Sequence, residues 1–580
     1  MSERAKEHTL HWRALAERAT RVLTRLSAGG MLIGAALFCL SLTPSLLPRN
    51  YLVQGLLSGC GFALGYAIGW LLDWLWTYLG FRLPSESFAR RAKLVAGGVS
   101  LVAAIYFLWR VPDWQNSIRV LMDMPPLVEG HRLRVVLIAL ALATVLIGLG
   151  DVVARVVRFV SARLDPLLPR RAAFALGLVV VALATWLVVE GLLARWALRS
   201  ADQFFAELDR LAGQYESAPA DPLRSGSAAS LIAWDTIGRQ ARIYVQSGPT
   251  REEIEAIAGG PAMTPLRVMV GLRSAPSAQA RAELALAEMV RIGAFDRSVL
   301  VLVMPVGTGW VDPAGIDTLE FLHRGDVASV AMQYSYLTSW VSLVAEPEVG
   351  TSAAAALFST VHEYWKRLPR ETRPRLYLYG LSLGAYASQS SVRLYDVLDE
   401  PLNGALWVGP PFGSRLWLNV ASDRVDGTPA WLPLVGNSSA IRFANQHGVA
   451  QPLGAEWGPV RVVYLQYASD PIVFFDPEAW RRRPAWLIGE RGPDVSPALR
   501  WYPFVTFLQL SFDMTQAQTT PIGHGHVYAP QHYFEAWMAV TEPQGWDAAG
   551  LAALRARLSR TGGLADIQAG WFKDSPAAPQ

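Results

Sequence analysis

The sequence predicts an α-helical transmembrane domain of about five spans followed by an α/β domain with a mostly parallel sheet. Three observations predict it. Long apolar runs fall mainly within the first two hundred residues. From about Leu231 onward, short apolar runs rich in β-branched residues alternate with stretches of helical periodicity. Between one strand-like run and the helical stretch after it stands Gly380-Leu-Ser-Leu-Gly384, a serine bracketed by glycines. The expected divisions are residues 1–199 for the membrane part, 200–230 for an amphipathic helix and linker, and 231–580 for the α/β part.

Composition agrees. Only 17% of the 580 residues are charged and 52% are hydrophobic, with a mean hydropathy of +0.23. Soluble domains carry about 25% charged residues. The net charge is +4, but Arg and Lys gather in short loops between apolar segments, as membrane topology requires. No basic run interleaved with aromatics follows, so nucleic acid is not an expected partner. The two cysteines, Cys39 and Cys60, lie inside apolar segments. They exclude a disulfide framework and a cysteine-based metal site.

A span needs about twenty apolar residues. Five segments approach or exceed that: Ala28–Leu47, Tyr51–Leu79, Leu94–Trp109, Val135–Val153 and Ala172–Leu193. The third is the shortest. A polar stretch precedes the first and no small-residue cleavage site follows it, which reads as a retained anchor. With five spans, the positive residues of the N-terminal tail, of Arg82–Lys93 and of Arg155–Arg171 share one side. Arg49, Arg110, Arg119, Arg132 and Arg134 share the other. The richer side is expected to be cytoplasmic, so the chain after Leu193 emerges on the outer face of the cell membrane. Asp73, Asp151 and Glu190 fall near span ends. With no charge near a membrane midplane, an anchor and platform is favoured over transport.

Ser200–Gln214 reads as an amphipathic helix carrying Phe204, Phe205, Leu208 and Leu211, and Ser217–Ser227 as a linker. Strands are expected at Leu266–Leu272, Val299–Met304, Val327–Tyr336, Leu376–Tyr379 and Val462–Tyr467. Helices are expected at Ala278–Ile292, Ala353–Lys366, Ala385–Val397 and Tyr533–Val540. Such alternation makes a mostly parallel sheet covered by helices.

The chemistry centres on Ser382. Gly380 to Gly384 matches G-x-S-x-G, set between the strand Arg375–Tyr379 and a helix. That is the setting of the nucleophile elbow in the α/β-hydrolase fold. Gly380 and Gly384 remove side chains that would clash in the sharp turn, and the serine is presented at a helix N-terminus. In this fold the acid and the histidine follow the serine. Asp470 comes just past the strand Arg461–Tyr467, in Ser469-Asp-Pro471, and is the expected acid, with Asp476 and Asp513 as alternatives. Four of the nine histidines follow Ser382. His526 and His524, in Gly523-His-Gly-His526, are the candidate bases, with His526 preferred. The oxyanion donors are expected from Leu383 and from Thr308 and Gly309, in the glycine loop after Val299–Met304. A metal between the two histidines is not expected, and nothing here calls for a cofactor. The nearby aromatics Trp310, Tyr334, Tyr336, Trp340, Trp407 and Trp417 are candidates to line an apolar acyl pocket.

Long stretches resemble a membrane-anchored α/β-hydrolase family of bacteria with a multi-spanning N-terminal domain. The matching pieces include Thr43-Pro-Ser-Leu-Leu-Pro-Arg49, Trp234-Asp-Thr-Ile-Gly238, Gly307-Thr-Gly-Trp310, Gln333-Tyr-Ser-Tyr336, Gly380–Gly384, Gly409-Pro-Pro411, Ser469-Asp-Pro471 and Gly523-His-Gly-His526. The resemblance implies a membrane location and a serine-hydrolase site, and no particular substrate. Where that family's pattern often has an acidic residue after Gly380, this chain has Leu381. The expected activity is cleavage of an ester, lipid-borne or envelope-associated, through an acyl-enzyme on Ser382. An acyltransferase would use the same residues, and an inactive membrane scaffold would keep the fold without the chemistry. The bilayer and a small-molecule or lipid ester are the expected partners. The oligomeric state stays open.

Overall fold

The computed structural model describes residues 27–81, 85–194, 200, 203, 205–207, 209, 217–337, 347–452 and 454–560. The helix expected over 200–214 lies largely outside them, as does Trp340. The chain divides into two compact units. One comprises residues 1–187 with 476–487 and 495–516; the other comprises 188–475, 488–494 and 517–580.

The first unit is helical. Its helices are α1 (Ala28–Ser41), α2 (Tyr51–Tyr78), α3 (Glu86–Arg119), α4 (Arg132–Leu164) and α5 (Arg170–Trp186), the last continuing as a π-helix over Leu187–Ala194. Among the described residues three of these, α2, α3 and α4, are long and apolar enough to cross a membrane. Three of the five expected segments are thus supported as spans. The first segment forms only 14 helical residues, about 21 Å at 1.5 Å per residue, because Pro44 and Pro48 follow and cannot continue a helix. The last forms 17 α-helical residues before its hydrogen bonding shifts to the π pattern. The third segment, the shortest in sequence, lies within a 34-residue helix that tolerates Pro112. Helices α1 and α2 approach closely through small residues. A Cβ on Gly69 would lie 2.3 Å from the backbone of Gly29, and one on Gly65 would lie 2.6 Å from Ile33 O.

The helix Val505–Thr515 belongs to this unit and packs on α1 and α2. Asp513 accepts hydrogen bonds from Ser45 Oγ at 2.9 Å and from Leu46 N–H at 3.0 Å. The Arg49 guanidinium lies 3.7 Å from its carboxylate, and both side chains are fully buried. Arg49 also donates to Ser41 O, Thr43 O and Ser45 Oγ. Gln509 donates to Thr43 O. The Thr43–Arg49 stretch is therefore a non-helical cradle whose polar groups are paired with this helix.

The second unit holds an eight-stranded sheet. The strands are β1 (Leu266–Val270), β2 (Val299–Met304), β3 (Val327–Met332), β4 (Arg375–Leu381), β5 (Gly404–Val408), β6 (Ile441–Asn445), β7 (Gly448–Val449) and β8 (Arg461–Leu465). Their order is β1-β3-β2-β4-β5-β8-β6-β7, parallel except for the β6–β7 hairpin. Every residue of β1, β2 and β3 is buried, which requires helices on both faces. One group is α6 (Ala278–Arg291), α8 (Pro347–Trp365) and α9 (Leu383–Ser391), packed in sequence on one another. Another pairs α7 (Pro313–Leu322) with α10 (Pro530–Thr541), where Trp537 Nε1 donates to Gly315 O at 2.8 Å. The consequence for function lies in the neighbouring strands β2, β4, β5 and β8. Their carboxyl ends open on one edge of the sheet, where open parallel sheets bind ligands.

Candidate active site

Strand β4 runs directly into Ser382, which then opens α9. Ser382 adopts φ 56° and ψ −122°, a conformation costing about 1–3 kcal/mol for a non-glycine residue. The turn holds because its neighbours overdetermine it. Ser382 N–H donates to Val408 O at 2.9 Å, and Ser382 O accepts from Tyr386 N–H at 3.0 Å. A Cβ on Gly380 would lie 2.4 Å from the Gly384 backbone, and one on Gly384 would lie 2.0 Å from Met304 O. Both glycines are thus required by close approach, and the second presses the elbow against the end of β2. The Ser382 hydroxyl does not cap its own helix.

The expected acid, Asp470, lies one strand beyond β5. After β8 the chain turns through Gln466–Ser469, and Asp470 caps the short helix Pro471–Phe474. One carboxylate oxygen accepts from Ile472 N–H at 2.8 Å. The other accepts from His526 Nδ1 at 2.7 Å and from the Tyr528 hydroxyl at 2.6 Å. Asp470 is wholly buried, so these three donors replace the water it has lost. The bond to Asp470 fixes the His526 tautomer, leaving Nε2 as the basic nitrogen. The His526 N–H is tied to Ala517 O at 2.9 Å.

Gly409, the residue after Val408, brings the serine and the histidine together. A Cβ there would lie 2.8 Å from His526 Cε1 and 2.9 Å from the Tyr528 ring. The dipeptide Val408-Gly409 thus holds Ser382 through one residue and gives His526 room through the next. Among the described residues Ser382 Oγ and His526 Nε2 are not hydrogen-bonded to each other. Apo sites often close this contact when substrate binds.

The other sequence candidates fall elsewhere. His524 Nδ1 lies 3.6 Å from Asp494 Oδ2, too long for a hydrogen bond, and has no contact with Asp470 among the described residues. Asp476 accepts from Glu478 N–H, and Asp513 pairs with Arg49; both belong to the helical unit. In the loop after β2, the Gly309 N–H donates to Val306 O at 2.8 Å and the Val306 N–H to Trp310 O at 3.1 Å. Gly309 is therefore spent as a donor, a correction to its expected role. What it supplies is a φ of +83° that closes the loop. The Thr308 N–H has no acceptor among the described residues and stays a candidate, as does Leu383 at the first turn of α9. Trp407 and Trp417 are core residues, buried and bonded through their indole N–H to Ser388 and Gln466.

Two residues escaped the sequence reading. Tyr528 was visible only as the second residue after His526, a spacing that returns its side chain to the same side in extended chain. Burial, with Asp470 beside it, holds its hydroxyl well above the usual tyrosine range, so it stays a donor. Asp312 caps α7 through Ala314 N–H and accepts from the Tyr533 hydroxyl at 2.8 Å. It lines a small cavity with Trp310, Tyr379 and Leu381. Burial pushes its carboxyl up to about 6, against the hydrogen bonds from Tyr533 and Ala314.

Two family models match this chain. One, described as the alpha/beta-hydrolase family, covers residues 266–554; the other, the N-terminus of that family, covers 42–249. The chain belongs to the α/β-hydrolase family. The first match spans every strand of the sheet and the residues from Ser382 to His526. The second spans α2, α3, α4 and the cradle at Thr43–Arg49. No curated protein and no solved structure matches the chain.

Proposed function

We propose that this α/β-hydrolase is a membrane-bound serine esterase that works through an acyl-enzyme on Ser382. The observation that carries the reading is the Asp470–His526 pair, set beside a strained serine at the carboxyl edge of the sheet. In the proposed reaction His526 Nε2 takes the proton from Ser382 Oγ as that oxygen attacks an ester carbonyl. Asp470 holds the imidazole and stabilises its charged form. The N–H groups of Leu383 and Thr308 receive the oxyanion. His526 returns its proton to the departing alcohol, and water then releases the acid by the same steps in reverse.

The membrane assignment rests on α2, α3 and α4. The Arg49–Asp513 pair supports a fuller topology. It requires an even number of crossings between residues 49 and 513. Helices α2 to α4 supply three, so Arg170–Ala194 supplies the fourth. Arg82–Lys93 and Arg155–Arg171 then share one side, and Arg49 shares the poorer side with the chain leaving that helix. By the positive-inside rule the site faces outward. An ester carried by a lipid or by the envelope is the substrate class such a tether favours.

The test is turnover of nitrophenyl esters of graded acyl length by the full-length protein in lipid nanodiscs. Hydrolysis lost in Ser382→Ala is the expected result. Acyl transfer to an added alcohol with no hydrolysis would replace the esterase by a transferase. Equal rates in wild type and Ser382→Ala would refute the site.

A further inference from the structure

His526 is carried by a short glycine-rich turn, and a buried carboxylate outside the Asp470–His526 pair is linked to both sides of that turn through two side chains. Asp494 is 1% exposed. Its Oδ2 accepts from Ser469 Oγ at 2.5 Å and from Gln446 Nε2 at 2.7 Å. Each of those side chains reaches the turn. Ser469 Oγ accepts from Gly525 N–H at 2.8 Å, and Gln446 Nε2 donates to Gly523 O at 3.1 Å. Gly523 and Gly525 have φ of 93° and 56°, conformations that glycine enters freely and also leaves freely. Local bonds close the turn, the Gly523 N–H donating to Val527 O at 2.8 Å and the His526 N–H to Ala517 O at 2.9 Å; the bonds to Ser469 and Gln446 tie it to the strand ends that carry the acid.

The linkage is also close to the acid. Ser469 directly precedes Asp470, and Gly525 directly precedes His526. The Ser469–Gly525 bond therefore ties together the residues before the acid and before the base. A buried carboxylate with no arginine or lysine partner among the described residues is costly, and Asp494 Oδ1 has no hydrogen-bond partner there. Its bonds converge on Oδ2 and, through Ser469 and Gln446, on the histidine turn.

We propose that Asp494 is a positioning residue of the hydrolase site, holding the Gly523–Gly525 turn through Ser469 and Gln446 so that His526 meets Asp470 and Ser382. The proposal rests on the esterase reading above. Asp494 touches no reacting atom, so its loss should alter the alignment of the base and leave substrate binding largely intact. Misplacement of a catalytic group by about 1 Å costs on the order of 10²-fold in rate.

The experiment compares wild type, Asp494→Asn, Ser469→Ala and the double variant in full-length protein. It measures kcat and KM on the nitrophenyl ester, the rate of fluorophosphonate labelling and the melting temperature. Expected are a fall in kcat of roughly 10- to 100-fold in each single variant, with KM little changed and labelling slowed in parallel. The double variant should be little worse than either single one, because both act through one chain of bonds. Should Asp494→Asn fail to fold, Ser469→Ala, which removes a single hydroxyl, carries the test. Folded variants with wild-type kcat would overturn the positioning role and leave the esterase reading standing. A wild type that turns over no ester and takes no label would overturn the esterase reading and this one with it.

Discussion

Asp470 and Asp513 are both wholly buried aspartates, yet they do different work. Asp513, in the helical unit, faces Arg49, a cation that keeps its charge at any working pH. Burial pushes its carboxyl up to about 6 while Arg49 and the bonds from Ser45 and Leu46 oppose the rise. Asp470, in the sheet unit, faces an imidazole and a phenol. Its principal partner is a ring whose second nitrogen, Nε2, is left free by the bond from Nδ1. A buried acid paired with a permanent charge is suited to anchoring, whereas one paired with an imidazole is suited to the acid–base role proposed above. The difference could not be read from the aspartates, both of which the sequence offers as candidate acids. It lies in the residues that reach them.

The sharpest way to break this comparison is at the acid–base device. Asp470→Asn keeps the shape but donates where the carboxylate accepted, favouring the wrong imidazole tautomer. It should lower kcat by on the order of 10⁴-fold while the melting temperature moves far less, as ester turnover and thermal unfolding would show. Removing the anchor's cation should do the reverse. Arg49→Ala leaves a buried, unpaired carboxylate and should cost about 3–5 kcal/mol of stability, followed by chemical denaturation. Arg49→Ala/Asp513→Ala should lose less than Arg49→Ala. The loss in Arg49→Ala should also depend on pH. With its folded pKa above the 3.8 of the free group, Asp513 is tolerated best when protonated. Stability should be highest below about pH 4 and fall as pH rises through 6 and beyond.

Asp312 offers a third, smaller contrast, a buried acid whose hydrogen bonds come from the Tyr533 phenol and the Ala314 N–H, with His526 acting on it only through its charge. Its pKa of about 6 against 3.8 means that folding favours the protonated form. That contribution is fully present below about pH 4 and is lost as pH rises through 6, amounting to about 3 kcal/mol at neutrality. Asp312→Asn should therefore be more stable than wild type at pH 7.5 and no more stable at pH 4, measured by thermal unfolding at both. The smallest expected effect belongs to Tyr528→Phe. It removes one of three donors to Asp470 and should lower kcat by about tenfold, the worth of one hydrogen bond to a charged group.

Much of the sheet was legible because its strands are short, wholly buried, near-continuous apolar runs that alternate with helical stretches. Val299–Met304 was placed to the residue. The strand Gly404–Val408 was missed, although it contributes Val408 to the site and leads directly into Gly409. Five residues beginning with glycine and containing a single β-branched residue carry little strand signal. The elbow was legible because its glycines bracket the serine in a fixed local spacing: Gly380 is demanded by the Gly384 backbone four residues on, while the demand on Gly384 comes from Met304 O on another strand. The choice between His526 and His524 depended on contacts with Asp470 and Asp494, which are distant in sequence. The Gly309 N–H was misjudged for the same kind of reason: a glycine-rich loop announces close approach, but not which of its donors the loop itself consumes. In the helical unit, hydropathy marked apolar segments faithfully. It could not mark where Pro44 ends a helix, or that Thr43–Arg49 forms a cradle for Val505–Thr515.

The measurement that bears most directly on the central claim is fluorophosphonate labelling of the full-length protein, comparing wild type with Ser382→Ala, His526→Ala and His524→Ala. The account predicts labelling in wild type, none in Ser382→Ala, a collapse in His526→Ala and near-normal labelling in His524→Ala. Labelling that survives in Ser382→Ala, or that depends on His524 and not His526, would contradict it.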